Sequence, residues 1–224
     1  MNNNIFDCLY TNWWDEKKIC KPLHILNKIR FDYINDANNL KNKTVLDIGC
    51  GGGLLTEKLC LHGAIVTGID KSKILIKIAE NHSNFTKNLT YINIDINNLY
   101  HHNLNKYDII TCMEVMEHLN DQNILFKLLN KLSTDNTIIY LSSINKHLIS
   151  YIKMILLGEY VSKKIIKNTH NFNNFNSLVA LKYNLGKFNL KIIDIKFIQY
   201  NSVVNVARLF KQITYNYIIM IQSC

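Results

Sequence analysis

Residues 111–119 read TCMEVMEHL, which crowds two carboxylates, Glu114 and Glu117, and an imidazole, His118, among Met, Val and Leu. If EVMEHL begins a helical turn, the three stand at i, i+3 and i+4 and share one face, able to converge on one small object. Two oxygens and a nitrogen suit a divalent cation, Mg²⁺ ahead of Zn²⁺, with its other positions open to substrate oxygens. Such an ion would favour an ionised phenol, a far better nucleophile than the neutral form. Alternatively His118 takes the proton as general base while Glu114 orients it. The plain reading is two solvated acids and a capping or packing histidine.

A second constellation precedes it. VLDIGCGGGLL sets Gly49, Gly51, Gly52 and Gly53 between a β-rich run and a helical one, where backbone must approach a ligand closely. A dinucleotide fingerprint would want glycine at 54, which is Leu54; the spacing is instead GxGxG, with Asp47 two residues ahead of Gly49. That favours S-adenosylmethionine, whose sulfonium and ammonium gain from a nearby carboxylate such as Asp47, over a pyrophosphate. Asp70, closing the next strand, is placed to accept from the ribose hydroxyls. Asp95, closing the third, could accept from the adenine amine. The structural alternatives are a tight turn for the glycines and helix caps for the two acids.

The elements that must position these groups alternate. A helix over 22–34 leads into strand-like runs at 43–49, 64–70, 89–95, 107–113 and 137–143, with helical stretches after the first and second and at 121–132. Alternation of this kind implies parallel strands with right-handed crossovers. Runs at 190–200 and 215–222 follow without a helical crossover between them and read as an antiparallel pair at one edge. The expected fold is α/β: a doubly wound, mostly parallel, seven-stranded sheet in a single domain, 1–224. Ligands on such sheets bind beyond the carboxyl ends of the strands, so Glu114, just past the fourth run, sits where a substrate would meet a methyl donor.

Composition bounds the partners. The chain has 224 residues, 48% hydrophobic and 19% charged, enough for one sizeable core. A net charge of +9 favours anionic partners, but the Lys and Arg are scattered, which argues against a dedicated nucleic-acid patch. Six cysteines without a CxxC pair, mostly inside apolar runs, read as free buried thiols in a reducing compartment and argue against a structural zinc site. MNNNIFDCLY carries neither a secretory nor a transit pattern, which leads us to expect a cytoplasmic protein. The apolar window 147–167 is interrupted by Lys153 and Glu159 and does not span a bilayer; with Lys163, Lys164 and Lys167 it suits an anionic interface instead, or an ordinary packed helix.

With these residues in view, the sequence resembles the ubiquinone-biosynthesis O-methyltransferases among class I S-adenosylmethionine-dependent enzymes. The likeness runs over most of the chain: NWWDEKKICKPLHILNKIRFDYI (12–34), the glycine loop, GAIVTGID, YDIITCMEVMEHL and KNTHNFNNF (167–175). It implies that Arg30, Gly49, Asp70 and Met113 contact S-adenosylmethionine and that Glu114, Glu117 and His118 hold a divalent metal. It further implies polyprenylated catechol substrates methylated at one hydroxyl, and an amino-terminal helical segment over 1–40. A substrate- and membrane-facing insertion over 147–175 is implied too, with His170 near its mouth. Peripheral attachment to the inner membrane would follow, on the cytoplasmic side in a bacterium or the matrix side in a mitochondrion, beside other proteins of the quinone pathway. Departures from the family pattern are Lys28, STDNT (133–137), Asn171 and Ser202, which remove turn-forming residues but touch neither the loop nor the Glu-Glu-His set. The competing readings are a methyltransferase for another small phenol or for RNA, and a non-catalytic cofactor-binding scaffold.

Overall fold

Thr44–Ile48 and Ile109–Met113 are short runs rich in β-branched residues and buried on both faces, which is how central strands of a parallel sheet read. A computed structural model bears this out; it describes residues 12–17, 20–83, 87–100, 105–144, 177–201, 204–212 and 216–223. The order is α1 (Lys21–Ala37), β1 (Thr44–Ile48), α2 (Leu54–Leu61), β2 (Ile65–Asp70), α3 (Lys73–His82), β3 (Leu89–Asn93) and the short α4 (Ile96–Leu99). It continues with β4 (Ile109–Met113), α5 (Gln122–Leu132), β5 (Ile138–Ile144), α6 (Leu178–Gly186), β6 (Leu190–Asn201), β7 (Val206–Phe210) and β8 (Asn216–Ser223). The sheet order is β3-β2-β1-β4-β5-β8-β6-β7; β3 to β5 are parallel, and β8, β6 and β7 are antiparallel to their neighbours.

Side chains alternate across the strands and divide the core in two. Ile110 and Cys112 of β4 join Leu46, Ile48, Phe126, Leu129, Leu181 and Tyr217 beneath α5 and α6, whereas Ile109 joins Val45, Phe31, Leu59, Tyr140 and Ile218 beneath α1 and α2. Helix starts are set locally. Ser72, Asp121 and Ser177 cap α3, α5 and α6 by accepting from the backbone N–H groups of Leu75, Asn123 and Ala180, and Pro22 lies in the first turn of α1. Cys20, Cys50, Cys60 and Cys112 are free and buried, as expected.

The fold class is the expected one, with eight described strands rather than seven. The added strand, β7, is a five-residue edge strand interrupted by Arg208 and mostly open to solvent, so it offers no clear apolar alternation. Helix α6 was also absent from the sequence reading; it buries only Leu181 and Leu185, too few positions to declare a helical period. The insertion at 147–175, with His170 and Asn171, lies outside the described residues. Among those described, no helix is long and apolar enough to cross a membrane.

Candidate active site

The glycine loop joins β1 to α2 at the carboxyl end of β1, and its tightness comes from what crowds it. Gly49 has φ +73°, and a Cβ there would stand 2.2 Å from Cγ2 of Val115; at Gly53, φ +89°, a Cβ would stand 2.4 Å from the Tyr91 hydroxyl. Both positions therefore demand glycine twice over, by backbone conformation and by space. The loop is tied to β2: the Gly49 and Cys50 N–H groups donate to the Ile69 carbonyl. Asp70 completes the tie, accepting from the Gly51 N–H at 2.9 Å and from the Ser72 N–H at 2.8 Å. Each oxygen keeps a lone pair, so a loop fixed by Asp70 can still present that carboxylate to a pair of ribose hydroxyls. Asp95 caps α4 through the Asn97 N–H at 2.8 Å, at the end of β3 beyond Asp70.

Asp47 stands elsewhere than expected. It is 2% exposed, on the face of β1 turned to α2, with one oxygen accepting from the Thr56 hydroxyl at 2.6 Å and the other from Thr111 at 2.7 Å. Thr111 is its register partner on β4, so Asp47 pins α2 and β4 beneath the loop instead of facing the ligand. Burial pushes its carboxyl up to about 6 against the two hydroxyl hydrogen bonds, with the nearby Asp70 charge adding to the rise. A folded-state value above the unfolded one means that the native state holds the extra proton between pH ~4 and ~6, so stability falls as pH rises through that window. The cost at neutral pH is on the order of 3 kcal/mol. Asp47→Asn removes the charge, and its melting temperature should overtake that of the wild type as pH climbs from 4 to 7. Parallel pH profiles for the two proteins would refute this assignment.

Past β4 the chain turns abruptly. Glu114 has φ +56°, a left-handed conformation unusual for a side chain with a Cβ, and only Met116–His118 form a turn, of 3₁₀ type. The single helical face expected for Glu114, Glu117 and His118 is thus not formed. Glu114 precedes the turn, and neighbours in a 3₁₀ turn diverge by about 120°, which separates Glu117 from His118. What forms is an acid pair locked into the sheet. Glu114 receives hydrogen bonds from the Arg30 guanidinium of α1, from the Ser142 hydroxyl at 3.1 Å and from the Asn216 amide at 3.1 Å. Glu117, 3% exposed, accepts from the Ser143 hydroxyl at 2.8 Å.

The two acids are shifted in opposite directions. Burial would raise Glu114, but the Arg30 guanidinium, with hydrogen bonds from Glu117, Asn216 and Ser142, overrides it and holds the carboxyl below the usual range. Burial pushes Glu117 well above that range, and the Glu114 charge and the closeness of the two carboxyls add to the rise. Among the described residues no three His, Cys, Asp or Glu side chains are gathered closely enough to hold a metal ion. The carboxyl pair could serve a divalent cation; the imidazole is not brought to it. Ser142, Ser143 and Asn216 escaped the sequence reading. The only hint of the first two was a polar pair ending TIIYLSS, and Asn216 reaches the site from the far end of the chain.

The expected cofactor residues otherwise converge. Arg30 is 5% exposed on α1 and Met113 half-buried at the end of β4. Gly49 follows β1 and Asp70 ends β2, and the reversal of strand order between β1 and β4 lies beside this group.

Comparison with known proteins gives the same answer by an independent route. A family model described as a methyltransferase domain matches residues 16–195. The ubiquinone biosynthesis O-methyltransferase of Coxiella burnetii (strain RSA 493 / Nine Mile phase I) is 37% identical over 214 residues, covering 95% of this chain and 91% of that protein. Its namesake in Glaesserella parasuis serovar 5 is 35% identical over 224 residues, covering 97% and 95%. The crystal structure of magnesium protoporphyrin IX methyltransferase from Synechocystis PCC 6803 with bound SAH superposes with a TM-score of 0.70 at 18% identity, covering 94% of this chain and 88% of that one, a likeness of fold. The loop, the acids at the strand ends and the extent of these matches agree: the chain belongs to the ubiquinone biosynthesis O-methyltransferases, enzymes that depend on S-adenosylmethionine.

Proposed function

We propose that the protein transfers a methyl group from S-adenosylmethionine to one hydroxyl of a polyprenylated catechol on the way to ubiquinone. The observation that supports it best is positional. The acid pair stands at the carboxyl end of β4, and the glycine loop opens from the neighbouring end of β1, so donor and acceptor meet where the strand order reverses. In this reading Asp70 and the loop backbone hold the nucleoside, and Asp95 lies toward the adenine. Arg30 and Met113 border the amino-acid end. Methyl transfer is an in-line displacement at a cationic centre, so the acceptor oxygen must approach as an anion or lose its proton on the way. Ionised Glu114, a quarter of its side chain open, provides the negative wall facing that centre.

A divalent cation, Mg²⁺ before Zn²⁺, belongs to this proposal, with Glu114 and Glu117 as the residues that would hold it. It would supply Lewis-acid stabilisation of a catecholate. Association with an anionic membrane surface through 147–167 is proposed on composition, as is the matching location on the inner membrane, with other quinone-pathway proteins nearby.

The deciding assay is incubation with S-adenosylmethionine, Mg²⁺ and a short-chain prenyl catechol in the presence of lipid. Methylated product is expected, with turnover roughly a hundredfold lower after exhaustive chelation, as the loss of a Lewis acid worth several kcal/mol implies. No product with any divalent ion or lipid would overturn the proposal, and product indifferent to chelation would remove the metal from it.

A further inference from the structure

Trp13 lies against the glycine loop, although nothing in its surroundings requires an indole there. A Cβ on Gly51 would stand 2.7 Å from Cζ2 of Trp13, and one on Gly52 would stand 2.4 Å from both Cδ1 and Nε1. The bare backbone of these two glycines thus makes room for an aromatic ring as well as for a ligand. Trp13 is 7% exposed, and among the described residues its buried Nε1 has no hydrogen-bond partner. Buried indole N–H groups nearly always find an acceptor, so an orphan beside a ligand loop points to an acceptor that the ligand brings.

The strand of chain carrying Trp13 is held firmly. Nε2 of His24, on α1, donates to the Trp13 carbonyl at 2.8 Å. The next residue, Trp14, stacks on His82 at the end of α3, with ring centroids 3.5 Å apart and planes within 2°. His82 in turn meets Glu57 of α2 at 2.8 Å. A tether to three helices fixes the indole in place as a positioned wall.

The polarity of that wall identifies the acceptor. Asp70 on the sheet side of the loop offers oxygens, suited to hydroxyl donors and hostile to an anion. Among the described residues, Arg30 Nε and Trp14 Nε1 are also buried without a partner, so three orphan N–H donors stand with α1 and its leading segment, while the other unpartnered donors, the Tyr91 and Tyr217 hydroxyls, lie on β3 and β8. S-adenosylmethionine has one anionic group, its α-carboxylate, and charge-assisted hydrogen bonds are the strong ones.

We infer that Trp13 is a cofactor-positioning residue whose indole N–H donates to the carboxylate of the methyl donor; this rests on the proposed function. The chain has two tryptophans, so two indole cross-peaks appear in a proton–nitrogen spectrum, and Trp14→Phe assigns them. Titration of the wild type with S-adenosylhomocysteine should move the Trp13 indole proton downfield. Methylthioadenosine, which keeps the nucleoside but lacks the amino-acid end, should leave it in place. Trp13→Phe should weaken S-adenosylhomocysteine roughly ten- to a hundredfold, the range of one lost hydrogen bond to a charged group, and leave methylthioadenosine affinity unchanged. A Trp13 signal unmoved at saturation, or equal responses to both ligands, would overturn the inference and leave the cofactor assignment standing. Absence of any S-adenosylhomocysteine binding would sink both. The wild-type titration decides the matter even if Trp13→Phe does not fold.

Discussion

Glu114→Ala is expected to abolish methyl transfer and to cost about 3–5 kcal/mol of stability, the penalty of stranding one member of a buried ion pair. The stranded group is Arg30, with 6% of its side chain exposed and no other acidic partner among its described hydrogen bonds. Ser142 and Asn216 would lose their shared acceptor as well. For a chain of this size the melting temperature should fall on the order of 10 °C. Two further variants separate the causes. Glu114→Gly relieves the left-handed backbone and should be about 1 kcal/mol more stable than Glu114→Ala. Combining Glu114→Ala with Arg30→Met removes the orphaned charge and should recover part of the loss without restoring turnover. A Glu114→Ala protein that melts within 2 °C of wild type, about the reach of a surface change, would show that the pair carries no stability.

The second large effect is expected at the loop. Gly49→Ala forces a residue with a Cβ to φ +73° and drives that carbon into Val115. The conformational part costs about 1–2 kcal/mol, and the overlap must displace the turn that carries Glu114. S-adenosylhomocysteine affinity should drop at least tenfold, the loss from about 1.4 kcal/mol, measured by calorimetry. Adding Val115→Ala removes the overlap and leaves the conformational cost, so the double variant should bind with intermediate strength. If the single variant bound as tightly as wild type, the close approach of loop and turn would have no part in shaping the pocket.

How far the sequence disclosed this site depended on the range of each signal. Glycine spacing reports backbone demands inside one turn, so the loop and its acid at position 70 were legible from a few residues. The sheet class followed from alternation of strands and helices, which is also a local pattern. Asp47 was misdirected because the side of β1 it occupies depends on register: opposite Thr111 and under Thr56, it faces a helix. The Glu-Glu-His motif suggested one helical face, and a single left-handed residue at 114 undid that geometry. Ser142, Ser143 and Asn216 were invisible because their role arises from pairing β5 with β8, across a separation that no local pattern spans. Trp13 lies in the segment 12–34 that resembles the family, yet its seat on Gly51 and Gly52 is a tertiary fact.

The position of β8 between β5 and β6 has a consequence for biosynthesis. A nascent chain emerging from the ribosome can assemble β1 to β5 early, but the β5 edge, with Ile139 and Leu141 in its buried faces, stays unpaired until residues 216–223 are translated. Such an edge invites intermolecular pairing, so the period before β8 arrives is when the polypeptide most needs chaperone protection. The same late strand delivers Asn216 to Glu114, so a half-made molecule cannot yet hold its acid pair in working order.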